Sequence, residues 1–119
     1  MNIEEFREHC ILKKGVTEEF PFDAGTLVFK VMGKMFALVP LERIPSQANL
    51  KCDPERAIEL RETYDGKITA GYHMSKVHWN TLYLETLSPS LVRELIDHSY
   101  ELVVAGLTKK LQAQLKALD

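Results

Sequence analysis

The chain has 119 residues, of which 45% are hydrophobic and 27% are charged, and its formal net charge is −2. This length and composition predict a single globular domain over residues 1–119 and exclude a disordered or low-complexity chain. Proteins that coat nucleic acid generally carry a clear excess of Lys and Arg, so the charge leaves room only for weak or site-directed DNA binding through a local patch.

The N-terminal residues lack a basic start followed by an apolar run, so they do not predict a secretory signal peptide. No run of about 18 apolar residues predicts a membrane span. These features predict a cytoplasmic protein with no membrane partner. Cys10 and Cys52 lie far apart and form no CxxC motif, so we expect both thiols to be reduced and structural.

Residues 2–14 predict the first helix. Asn2 can cap its N-terminus, and Glu4 and Glu5 lie in the first turn, where the helix dipole favours acidic side chains. The hydrophobic period then changes, and residues 17–22 predict a short extended segment.

Residues 26–32 and 35–40 predict a β-hairpin. We place its two-residue loop at Gly33-Lys34, because glycine in the first loop position suits a type II′ turn. This turn would pair Phe29 with Leu38. The apolar face of the hairpin would then hold Leu27, Phe29, Val31, Phe36 and Leu38. The opposite face would hold Val28, Lys30, Met32, Met35, Ala37 and Val39.

The middle of the chain alternates between strand and helix signals. Residues 48–52 predict a short strand, and Asp53-Pro54 predicts the start of a helix that continues to about residue 64. Residues 66–76 are expected to form a connection. Residues 79–85 alternate as a strand, with Leu82 and Leu84 on one side.

Two helices are predicted at the C-terminus, over residues 89–98 and 99–118, with Ser88 capping the first and Gly106 inside the second. The order of the elements predicts an α+β fold. We expect a two-layer sandwich in which helices cover one face of a mostly antiparallel sheet.

The uncovered face of this sheet is the predicted interaction surface. If Leu82 points inward, Trp79, Thr81 and Tyr83 point outward, together with Lys30 and Lys51. Aromatic side chains beside cations can stack bases, hold an anion or anchor a protein partner. The alternative is structural: the C-terminal helix or the 66–76 connection covers Trp79 and Tyr83, and Lys30 extends past them.

The chemistry-bearing residues give weaker signals. His73 and His78 lie five positions apart, whereas zinc sites use three or four ligands, and no nearby Cys, Asp or Glu completes a set. No phosphate loop, dinucleotide fingerprint or nucleophile elbow is present. We therefore predict a binding module rather than an enzyme, with no catalytic residue, metal or cofactor.

Several motifs resemble the MmcQ/YjbR-like proteins, small bacterial proteins with largely unassigned functions. They are Phe20-Pro21-Phe22, Gly33-Lys34-Met35-Phe36-Ala37, Leu50-Lys51-Cys52-Asp53-Pro54-Glu55, Gly71-Tyr72-His73-Met74-Ser75-Lys76-Val77-His78-Trp79-Asn80-Thr81 and Ser99-Tyr100. Ser75 replaces the Asn more usual in this family. The resemblance implies an α+β fold similar to the frataxin/CyaY sandwich, and it carries the label DNA-binding.

These observations give three hypotheses for the open face. In the first, Lys30, Lys51 and Lys76 contact DNA phosphates while Trp79 and Tyr83 stack or pack. In the second, a protein partner uses the same face. In the third, a small anion-binding protein or enzyme is centred on His73, Lys76 and His78.

Overall fold

The computed structural model describes residues 1–71 and 74–118. Within them, six antiparallel strands form one sheet in the order β1-β2-β3-β4-β6-β5, with four helices packed on it. No helix in this part of the chain is long and apolar enough to cross a membrane. The strands are β1 Val16–Glu19, β2 Thr26–Val31, β3 Lys34–Pro40, β4 Gln47–Lys51, β5 Ile68–Ala70 and β6 Trp79–Tyr83. The helices are α1 Ile3–Ile11, α2 Pro54–Thr63, α3 Pro89–Ala105 and α4 Lys109–Ala117. This confirms the predicted α+β class.

Local capping signals fix the starts of the first two helices. The Asn2 side chain accepts a hydrogen bond from the Glu5 backbone N–H, and the Glu5 side chain accepts one from the Asn2 N–H, which forms a capping box. At α2, the Asp53 side chain accepts from the Arg56 N–H, and Pro54 takes the first helical position. The predicted helix starts are thus confirmed.

The two C-terminal helices divide at a different place from the predicted one. α3 continues through the expected break at residues 98 and 99 and ends at Gly106. Thr108 then caps α4 by accepting from the Leu111 N–H. Glycine readily takes the helix-end position, whereas nothing in the sequence around residues 98 and 99 removes a helical hydrogen bond.

The edge strand β5 was missed by the sequence prediction, which treated residues 66–76 as a connection. β5 pairs with β6 through three residue pairs. Three residues are too few to show the alternation that identifies a strand.

The β2–β3 hairpin turns one residue earlier than predicted. Its loop is Met32-Gly33, where φ is 50° and 83° respectively. Positive φ at both loop positions is the geometry of a type I′ turn, in which glycine commonly takes the second position. Val31 therefore pairs with Lys34, and Lys30 with Met35.

A β-bulge shifts the hairpin register a second time. Phe29 pairs with Ala37 but Lys30 pairs with Met35, so Phe36 is an extra residue on β3. Leu38, predicted inside, therefore lies on the outer face, and Ala37 and Val39, predicted outside, join the core. Phe36 itself stays buried in the core, where its ring lies edge-on to Tyr100 with centroids 5.5 Å apart.

A buried hydroxyl on α3 satisfies the backbone groups beside the bulge. The Ser99 O–H donates to the Phe36 carbonyl at 2.6 Å, and the Ser99 oxygen accepts from the Lys51 backbone N–H at 2.9 Å. Ser99 is fully buried. One side chain thus joins α3 to both β3 and β4, and its loss would leave a buried carbonyl without a partner.

We expect Ser99→Ala to lower the free energy of unfolding by about 2–4 kcal/mol, because it removes two hydrogen bonds and orphans backbone groups near the bulge. Urea denaturation measures the change. Ser90→Ala, at an exposed position of the same helix, is the matched control and should change stability by less than about 0.5 kcal/mol. Equal effects of the two substitutions would contradict the proposed role of the Ser99 bridge.

Candidate functional site

Strand register identifies the side chains on the outer face of the sheet. β4 and β6 pair as Gln47 with Tyr83, Asn49 with Thr81 and Lys51 with Trp79. Residues between them, such as Leu50 and Leu82, belong to the core. The register thus confirms the predicted outward direction of Trp79, Thr81, Tyr83 and Lys51.

The predicted exposure of Trp79 is wrong. Only 9% of this residue is exposed, and it packs with Val28 and Leu38 in a second apolar cluster, with Met35 and Met74 against them. Because β4 lies between β3 and β6, the indole extends across β4 to reach Leu38. Met74 belongs to the connection before β6, so the structural alternative, in which this connection covers Trp79, is the one observed.

Gly71 holds the start of this connection against the Trp79 backbone. Its N–H donates to the Trp79 carbonyl at 2.8 Å. A Cβ at position 71 would lie 2.8 Å from the Trp79 Cβ and 3.0 Å from the Trp79 oxygen. Glycine is therefore required at this position by close approach of two backbone segments.

An open groove of about 440 Å³ lies beside the Trp79 cluster. Its apolar side is formed by Leu38, Met35 and Met74 from the cluster, with Pro40 and Phe22. Phe22 is 64% exposed. The complete lining is Phe22, Thr26, Met35, Leu38, Pro40, Arg43, Gln47, Asn49, Met74 and Ser75.

A second, more polar groove of about 280 Å³ adjoins the first. The two grooves share Arg43 and Gln47, and the second adds the hydroxyl groups of Thr69, Thr81 and Tyr83. The half-buried Tyr83 is therefore the one predicted aromatic that lines a groove on this face.

The three predicted lysines do not come together as one patch. Lys30 Nζ lies 3.4 Å from Glu19 Oε1, and its side chain is 21% exposed. Lys51 is half-buried opposite Trp79. Lys76 is exposed, and its carbonyl accepts from the Arg61 guanidinium at 3.1 Å.

Of the two predicted histidines, the structure describes His78. His78 is exposed, and its carbonyl accepts from the Cys52 N–H at 2.8 Å, so the contact that fixes it is a backbone one. His73 lies outside the described residues. Among residues 1–71 and 74–118, no group of three or more His, Cys, Asp or Glu side chains is placed to hold a metal ion.

The sequence reasoning missed most of the groove. Leu38 was assigned to the core because no sequence feature indicated the bulge, whereas Met35 was predicted on the outer face, where it lies. The sequence around Arg43 and Gln47 is rich in loop residues and shows no periodic pattern, so it did not predict a functional role for either residue. A type I′ turn at Met32-Gly33 predicts the pairing of Lys30 with Met35, but without the bulge it would still pair Leu38 with Leu27 on the core face.

Known proteins are similar to this chain in sequence and in fold. A family model described as YjbR matches residues 12–102. The chain belongs to the YjbR family. This confirms the family resemblance that the motifs had indicated.

Two Escherichia coli relatives cover most of the chain. The uncharacterized protein YbdF of strain O157:H7 is 40% identical over 98 residues, which are 82% of this chain and 80% of that protein. The uncharacterized protein YjbR of strain K12 is 32% identical over 105 residues, which are 87% and 88% of the two chains. Neither name states a ligand or an activity.

A crystal structure of the Deinococcus radiodurans protein DR2400 has the same fold, with a TM-score of 0.89 and 39% sequence identity. The match covers 97% of this chain and 88% of that one. A Pseudomonas syringae protein matches with a TM-score of 0.73 and 28% identity, covering 86% of this chain and 98% of its own. The overall fold therefore recurs among solved relatives.

We expect Gly71→Ala to lower the free energy of unfolding by about 1–3 kcal/mol, because the new methyl group would overlap the Trp79 backbone. Trp79 emission should also shift to longer wavelength as its cluster loosens. Gly25→Ala is the control, since a Cβ there would meet only Asp23 Oδ1 at 3.5 Å. Wild-type stability and emission in Gly71→Ala would show that the close approach does not constrain the fold.

Proposed function

We propose that this YjbR-family protein is a binding module that holds its ligand in the apolar groove on the open face of the sheet. The observation that carries the proposal is the groove of about 440 Å³ beside the Trp79 cluster. Ligand sites are typically clefts of roughly 300–1,000 Å³ with apolar walls and a few polar groups. The lining fits that description, with Leu38, Met35 and Met74 beside Gln47 and Asn49.

Binding rather than catalysis is supported by the state of the two thiols. Cys10 is fully buried and Cys52 is 4% exposed. Burial raises the pKa of both thiols. Because the thiolate is the nucleophilic form, these cysteines are suited to packing and poorly suited to covalent catalysis.

DNA binding is the second candidate, and the basic residues of this face favour it. Lys30 and Lys51 lie on the outer face of the described strands, and Glu19 is the acidic side chain on that face. Two observations count against a DNA-stacking face: Trp79 is buried, and Lys30 is held near Glu19. For these reasons we rank the groove ahead of DNA.

A protein partner is favoured by exposed apolar side chains at one end of the sheet. Phe22 and Ile44 lie in the β1–β2 and β3–β4 connections, and they are 64% and 95% exposed. Aromatic anchors commonly carry interface energy. A protein partner would contact Ile44 as well as the groove, whereas a small ligand would contact only the lining residues.

Three broader statements from the sequence stay predictions: the single-domain organisation, the cytoplasmic location and the likeness to the frataxin/CyaY sandwich.

Methionine methyl groups offer a direct test of the groove. The chain has four methionines; Met35 and Met74 lie at the groove, while Met1 and Met32 pack against the main core. In protein with ¹³C-methyl methionine, titration with a mixture of small neutral, acidic and basic fragments should shift the Met35 and Met74 signals. Met1 and Met32 serve as internal controls.

The proposal fails if fragments at roughly millimolar concentration leave Met35 and Met74 unmoved, or if bound fragments move only Met1 or Met32. Millimolar affinity corresponds to only about 4 kcal/mol of binding free energy, which even small fragments reach in a formed site.

Fluorescence anisotropy with labelled duplex and single-stranded oligonucleotides tests the DNA candidate. Phosphate contacts give affinity that falls steeply with salt, so binding should be strongest near about 50 mM salt and weaker at about 200 mM. Lys51→Gln and Lys76→Gln should each weaken it, and Lys109→Gln on α4 is the control. No binding at tens of micromolar protein and low salt would remove DNA as a candidate.

A further inference from the structure

The two grooves of the open face meet at one polar junction. Gln47 and Arg43 line both grooves, so they lie where the apolar groove passes into the polar one. Nearby, the Thr81 hydroxyl donates to Asn49 Oδ1 at 2.5 Å, and Asn49 lines the first groove while Thr81 lines the second. A ligand that spans the junction would meet methionine and leucine side chains at one end and polar groups at the other.

Gln47 is a largely buried residue that lines both grooves. Only 9% of it is exposed, and among the described residues the buried side-chain polar atom without a partner is Asn80 Oδ1, so the Gln47 amide is not sealed off from the groove. β4 fixes its position by pairing it with Tyr83. A side-chain amide carries two N–H donors and a carbonyl acceptor, so at the junction of the two grooves it can bind a polar group of a ligand.

The charge around the junction favours an anion. No Asp or Glu is among the described residues that line either groove, whereas Arg43 lines both. Arg43 already takes part in another interaction of the protein. A guanidinium carries five N–H donors in a planar fork, so it can also bind a carboxylate.

We infer that the groove binds a small amphipathic organic anion, such as a medium-chain carboxylate. Its apolar body lies over Leu38, Met35 and Met74, and its anionic group accepts hydrogen bonds from the Gln47 amide and the Arg43 guanidinium. This inference rests on the proposed function and adds the chemical class of the ligand. The size of the groove suits a ligand of metabolite dimensions rather than a long lipid.

The single tryptophan provides the readout, because Trp79 packs directly against groove residues. Octanoate, 1-octanol, octylammonium and acetate are titrated separately while Trp79 emission and the methionine methyl signals are followed. Octanoate should bind about ten-fold tighter than octanol or octylammonium, since a charge-assisted hydrogen bond is stronger than a neutral one. Acetate, which lacks the apolar body, should not bind measurably.

Two substitutions locate the anionic end. Arg43→Gln, at an exposed position, should weaken octanoate binding about ten-fold and leave octanol binding unchanged. Gln47→Glu should reverse the preference, so that octylammonium binds better than octanoate. Arg93→Gln, exposed on α3, removes the same charge away from the sheet face and should change nothing.

Equal affinity for octanoate and octanol, or preference for octylammonium in the wild-type protein, would overturn the anion inference while leaving the binding groove intact. The same holds if Arg43→Gln and Arg93→Gln behave alike. Failure of all four probes also overturns it, and the wider fragment titration then decides separately whether the groove binds any ligand. Because Arg43 is exposed, its variant tests the inference even if Gln47→Glu does not fold.

Discussion

The β-bulge at Phe36 and the Ser99 hydroxyl that holds it determine which side chains each face of the sheet presents. A bulge would leave the Phe36 carbonyl without a strand partner, and Ser99 supplies one at 2.6 Å while also accepting from the Lys51 N–H. Side chains alternate along a strand, so a one-residue change of register exchanges its two faces. The bulge thus places Leu38 outside the core.

Leu38 on the outer face is what gives that face its apolar character. Trp79 crosses β4 to pack on Leu38, Met74 covers the indole, and Gly71 ties the covering connection to the Trp79 backbone. The remaining surface is a groove that extends from this cluster to the Gln47 side chain. One sheet face therefore holds a small apolar core and a polar junction side by side, which is the arrangement that an amphipathic ligand requires.

The parts of the fold that local signals specify were predictable from the sequence. Asp53 and Pro54 predict the start of α2. The alternation from Trp79 to Tyr83 assigned each side chain of β6 to the correct face. The bulge was not predictable, because the hydroxyl that stabilises it lies 63 residues away along the chain. The burial of Trp79 was also not predictable in full, because its neighbours Val28 and Leu38 come from strands whose register the bulge controls.

For the site, the motif around Trp79 identified the correct face and family and contains Met74 and Ser75 of the groove, but it does not include Leu38, Arg43 or Gln47. Arg43 and Gln47 belong to no recognisable sequence motif. The β3–β4 connection and the pairing of β4 bring them together in the fold. The predicted lysines were assigned by residue type, and the structure places Lys30 beside Glu19 rather than in a shared patch.

Nuclear Overhauser contacts of the Trp79 ring test the bulged register most directly. The bulged register predicts strong contacts from the indole protons to the methyl groups of Leu38 and Val28, and none to Val39. Contacts from the indole to Val39, with Leu38 contacting Phe29 inside the core, would show the unbulged hairpin instead and would remove the apolar floor of the groove.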